Sequence, residues 1–132
     1  MSIAHGTIAF DTLTTSDQGN TGTEKSIDTS YIFNGVAKAW ACQSTHGGSF
    51  NDSFNYTSAA DTATGKTTYA FTNNFGNADY AVCNTHYNRA AGPSDAAHNT
   101  TSQHQCDWLS TTTGSVADIN TDAGTQVCGD LA

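Results

Sequence analysis

The chain has 132 residues, with 12 acidic side chains against 4 Lys and Arg and a formal net charge of −8. That balance argues against a nucleic-acid ligand, because affinity for phosphates comes largely from cations and the chain offers only Lys25, Lys38, Lys66 and Arg89. No apolar run approaches the roughly 18 to 20 residues that span a bilayer, and residues 1–15 lack the basic start and apolar centre of a signal peptide, so neither membrane insertion nor secretory export is expected.

Ile, Leu, Val and Phe together supply 18 of 132 residues, which is below the share of about 20% under which highly charged chains tend to be disordered. Charged residues make up only 12% of the chain, however, and its aromatics recur at alternating positions, which disordered segments rarely show. The reading that fits both facts is a folded subunit whose core is partly shared with other copies. Thr supplies 22 residues and suits a pleated, half-solvated surface, while Asn and Gly suit turns, so an all-β fold is expected.

In chain order, residues 2–15 alternate loosely, with Ile8 and Phe10 on one face, as in a first strand or extended arm. A polar, Gly-bearing linker follows over 16–26, so residues 1–28 read as an arm that packs on its own domain, on a neighbouring copy or on an anchoring protein. Residues 29–132 read as one β module, with strands expected near 29–42, 49–58, 66–72, 79–88, 101–110, 114–119 and 125–131. Bulky residues at 54 and 56 and again at 69 and 71, separated by the turn Thr64-Gly65-Lys66, predict that Phe54 faces Phe71 and Tyr56 faces Tyr69. Residues 88–100 are expected to be a long loop, in which Ala90 to Ala97 holds at most one helical turn. Short strands with turn signals between them predict a single-domain antiparallel β-sandwich or jelly-roll-like fold.

The series Ala37-Lys38-Ala39-Trp40, Asp52-Ser53-Phe54-Asn55, Thr64-Gly65, Thr67 to Thr72 and Asp79-Tyr80-Ala81-Val82 resembles the C-terminal module of small tail-fibre-like proteins of marine bacteriophages, as does the ending Gly129-Asp130-Leu131-Ala132. The likeness covers about residues 28–83 and the last four, and it stops between Asn84 and Val127. It implies a virion structural protein that forms a homo-oligomer, with a trimer favoured, contacts other virion proteins, and adheres to a host surface glycan. Leaving the cell by release of virions would need no secretion signal. The rival readings are a capsid decoration protein and, from another class, a carbohydrate-binding protein or glycan hydrolase.

Specificity is expected where the likeness stops, and the candidate receptor-binding residues are Trp108, Tyr87, Arg89, His98 and His104. Cys42, Cys83, Cys106 and Cys128 permit three disulfide connectivities. A Cys83–Cys106 bridge with Cys42–Cys128 requires the strands around 83 and 106 to be antiparallel neighbours, and free buried thiols are the alternative for a chain assembled in a reducing cytoplasm. Metal binding is not expected: Cys83 and His86 lie on opposite faces of a strand, His104 and Cys106 share one, and no C-x-x-C pair is present. Asp118 to Asp122 opens like a calcium loop but continues with Ala123 and Gly129 where Gly and a bidentate acid are needed, so an acidic turn is expected. The chain's single Glu, Glu24, sits in the polar linker, and no G-x-S-x-G elbow positions a nucleophile, so neither catalysis nor a cofactor is expected.

Overall fold

The computed structural model describes residues 12–14, 26–29, 35–86, 89–93 and 98–132. Contacts divide the chain into two units, Met1–Val36 and Ala37–Ala132. In the first, β1 (Thr12–Thr14) pairs antiparallel with β2 (Ser26–Asp28), with Leu13 opposite Ile27. The expected alternation of Ile8 and Phe10 lies outside the described residues.

The second unit is an antiparallel β-sandwich. It contains β3 (Ala39–Gln43), β4 (Phe50–Phe54), β5 (Tyr56–Ala63), β6 (Lys66–Phe71), β7 (Ala81–His86), β8 (Arg89–Pro93), β9 (Gln103–Ser110) and β10 (Ala123–Cys128). One sheet has the order β4-β3-β10-β7 and the other β5-β6-β9-β8. Period-two side-chain direction explains how each strand contributes to the core. In β6, Thr67, Tyr69 and Phe71 are buried between the sheets, while Lys66, Thr68 and Ala70 face outward. In β10 the inward set is Ala123, Thr125 and Val127.

The expected 49–58 strand is divided by Asn55, whose positive φ of 58° turns the chain from one sheet into the other. Phe54 therefore ends β4 opposite Trp40, and Tyr56 begins β5 opposite Phe71, while Ala59 takes the place opposite Tyr69. The predicted pairs are thus wrong in register, although the rings of Tyr56 and Tyr69 still meet, with centroids 5.6 Å apart. Within the strand expected over 29–42, β3 occupies Ala39–Gln43, residues 35–38 are not strand and residues 30–34 lie outside the described residues, while the strand expected over 125–131 occupies Ala123–Cys128. Residues 114–119 make a single bridge between Val116 and Leu109 instead of a strand. The expected 88–100 loop contains β8, which pairs with β9 and puts Ala91 opposite Trp108.

Aromatic rings compensate for the scarcity of aliphatic residues. Tyr56, Tyr69, Phe71, Phe75 and Trp108 join Ala39, Ala41, Cys106, Ile119, Ala123 and Val127 in one core. Counting only Ile, Leu, Val and Phe undervalues this interior, because each aromatic buries about 150–250 Å².

The β5–β6 turn is as expected, with Gly65 at a φ of 68°. A Cβ at Gly65 would lie 2.5 Å from the backbone nitrogen of Ala117, so both the dihedral and the space require glycine. Gly65→Ala is expected to lower stability by about 1–3 kcal/mol in urea unfolding. A loss below about 0.5 kcal/mol would mean that the neighbouring segment yields to the methyl group.

Candidate functional site

Three places on the sandwich gather polar or exposed groups that packing alone does not require. The first is the outer face of β4-β3-β10-β7. Register aligns Phe54, Trp40, Gln126 and Cys83 in one row across the four strands, and Asp52, Cys42, Gly124 and Thr85 in the next. Trp40 and Phe54 are 39% and 54% exposed, which makes them unusual for large aromatics on neighbouring strands. Beside Trp40 the missing side chain of Gly124 leaves a dent of about 170 Å³, lined also by Cys83, Thr85 and Gln126.

The second is the outer face of β5-β6-β9-β8, where an open groove of about 700 Å³ is lined by Ser58, Thr62, Thr68, Gln103, Gln105 and His98, together with Lys66 and three alanines. Gln105 Nε2 donates to Thr62 Oγ1 at 3.1 Å and to Thr68 Oγ1 at 3.0 Å. Lys66 Nζ donates to Asp107 Oδ2 at 3.2 Å.

The third surrounds His46, in the connection between β3 and β4, whose side chain is only 6% exposed. Its Nε2 lies 3.2 Å from Asp61 Oδ1 and 3.6 Å from Asp118 Oδ1, and its Nδ1 lies 3.3 Å from Thr67 Oγ1. Thr67 Oγ1 in turn accepts from Trp108 Nε1 at 3.0 Å. The backbone N–H of Gly65 donates to Asp118 Oδ1. These bonds fasten the His46 turn, β5, β6 and the segment around Asp118 to one another. Among the described residues no group of three His, Cys, Asp or Glu is arranged to hold a metal ion.

The candidate receptor residues separate sharply in the structure. Trp108 and His104 are both 0% exposed, because even positions of β9 point between the sheets, so neither can touch a receptor. The Tyr56 hydroxyl and His104 Nε2 share a hydrogen bond of 2.7 Å, and burial drives the His104 pKa down to about 3. Arg89 is half-buried, with Nη2 reaching the backbone oxygen of Asp118 at 3.5 Å. His98 lines the groove. Tyr87 lies outside the described residues.

All four cysteines are free thiols. Of the two alternatives left open, free thiols and not a Cys83–Cys106 bridge are present, because β7 and β9 belong to different sheets, with Cys83 facing outward and Cys106 inward. Burial, reinforced by the Asp107 charge, pushes the Cys106 thiol up to about 12. Cys42 pairs with Gly124, four residues along β10 from Cys128, so a Cys42–Cys128 bridge is out of reach too.

No family model, curated protein or solved structure matches the chain. The two outer faces therefore have to be interpreted from their own chemistry. Of the residues on these faces sequence reasoning named only His98 as a receptor residue, although alternation held a signal for the first face: alanines at 37, 39 and 41 around Trp40 imply that the small residues share one face and the Trp takes the other.

Proposed function

We propose that this chain is a structural protein of a phage virion, of the tail-fibre or receptor-binding-tip kind, working as several identical copies that adhere to a host surface. The observation that carries the reading is the outward placement of Trp40 and Phe54, in the same strands that resemble tail-fibre-like proteins. Ala39 and Ala41 fill the core while Trp40 faces water, the reverse of what a sandwich working alone requires. Removing such a side chain from water contributes roughly 1.5–3 kcal/mol, and the reading assigns that burial to a second copy. The Gly124 dent beside Trp40 offers a hole for a knob from the facing molecule. A head-to-tail contact makes a closed ring when its rotation closes, and the likeness to tail-fibre-like proteins favours three copies.

Light scattering on the purified chain tests the contact. The wild type is expected at a multiple of 13.8 kDa. The double variant Trp40→Ser, Phe54→Ser is expected at the monomer mass with an unchanged far-ultraviolet spectrum, since neither residue belongs to the core. A wild type that stays monomeric at high concentration would overturn the shared face. Counting copies in purified particles tests the location: a few tens or fewer agree with a tail, hundreds would move the protein to capsid decoration, and none would remove it from the virion.

A further inference from the structure

The groove over β5-β6-β9-β8 departs from the usual filling of an outward sheet face. β-Branched and aromatic residues normally occupy such positions, yet Ala60, Ala63 and Ala70 stand there on two neighbouring strands and leave a trough. Its volume, about 700 Å³, falls within the range of small-molecule and oligomer sites. Hydroxyl and amide groups form its walls, and one amide is fixed in advance. Gln105 lies nearly buried on the outer face because Thr62 and Thr68 both accept from its Nε2. Thr62 donates its own hydrogen to the backbone oxygen of Lys66. Thr68, already accepting from Gln105, keeps its hydrogen for a donation out of the groove, with Thr62 Oγ1 at 3.4 Å as a weak alternative.

Charge selects among occupants. Lys66, the permanent cation of the lining, is neutralised by Asp107 at 3.2 Å, and the chain as a whole carries −8, so a sulfated or uronic polymer is repelled. The alanine methyls are interrupted by hydroxyls and form no continuous apolar patch for a lipid. A peptide adding a strand would use a sheet edge and leave this face empty.

We propose that this groove binds a neutral, hydroxyl-rich polysaccharide, with Thr68, Ser58 and Gln103 supplying the polar contacts and Gln105 holding Thr68 in place. The inference deepens the adhesive reading and rests on it for the claim that the ligand belongs to a host surface. Among the described residues no Trp, Tyr or Phe lines the groove, so one copy binds weakly and retention depends on several copies acting together.

The test is retention of the full chain on immobilised neutral glucan, mannan and galactan, beside sulfated galactan and polyuronate, with copy counting in purified virions run in parallel. Retention on a neutral polymer is expected, falling at least tenfold in Ala60→Trp, which fills the trough from an exposed position, and in Thr68→Val. Both variants are expected to keep the wild-type mass and spectrum. Should Thr68→Val fail to fold, Ala60→Trp carries the test alone. Retention on anionic polymers only, or undiminished retention in Ala60→Trp, would overturn the proposal. So would an altered oligomeric mass in Ala60→Trp with retention unchanged, which would make the groove a contact between copies. Retention by a chain absent from virions would leave the groove standing and remove the virion reading. Presence in virions without retention on any neutral polymer would do the reverse.

Discussion

Trp108→Ala is expected to lower the stability of the sandwich by about 3–5 kcal/mol, the range for removing a fully buried aromatic. Trp108 is 0% exposed and packs between the sheets, with its ring centroid 5.6 Å from that of His86. Truncation leaves a cavity and also takes the indole donor from Thr67 Oγ1. Thr67 is itself buried and next in line to His46, so the loss reaches the bonds that fasten the Asp61 and Asp118 segments. Trp108→Phe retains most of the volume and loses only the donor, for which about 1–2 kcal/mol is expected. Urea unfolding of the three proteins separates the two contributions. A Trp108→Ala loss below about 1 kcal/mol would show that the core closes without this residue.

The second large effect is acid lability centred on His104. Burial holds its folded pKa at about 3, well below the ordinary 6.5, so between those values the unfolded chain binds a proton that the folded chain does not. Stability from this group is therefore complete above pH 6.5 and is lost as pH falls toward 3, at about 1.4 kcal/mol per pH unit. From pH 6.5 to pH 4 the loss amounts to about 3 kcal/mol. The groups facing the imidazole, the Tyr56 and Thr125 hydroxyls and the Tyr69 ring, supply no negative charge that would stabilise a proton on it. Burial also raises the Tyr56 pKa, which keeps that phenol neutral beside Nε2. Because acid acts on the whole molecule, the comparison is with His104→Gln, whose amide can still hydrogen-bond to the Tyr56 hydroxyl. The stability difference between the two proteins is expected to shrink steadily below pH 6.5. Parallel curves from pH 6.5 to pH 4 would mean that His104 is not held neutral in the core.

The β class, the Gly65 turn and the shared face of His104 and Cys106 were legible in the chain, because each depends on residues close in sequence. The pairing of Phe54 was not. It depends on Asn55 adopting a positive φ, which is an uncommon though tolerated state for Asn, and nothing local signals that β4 and β5 belong to different sheets. Trp108 and His104 looked like specificity residues because they stand where the family likeness stops. Their even positions on β9 already placed them on one face together, but not on which face. The choice between disulfides and free thiols stayed open for a related reason: a disulfide needs spatial neighbours, and β8 intervenes by pairing with β9 while β7 pairs with β10.

By itself, then, the sequence determined strand alternation, the glycine turn and the excess of negative charge, since a period of two and a steric requirement act within a few residues. Only the tertiary structure decided that Trp40 and Phe54 face outward, that Trp108 and His104 face inward, and that three alanines open a groove. Alternation sorts side chains into two faces of equal standing. Which of those faces is dry is set by where the second sheet lands, through pairings such as β3 with β10 and β6 with β9 that join residues far apart in the chain.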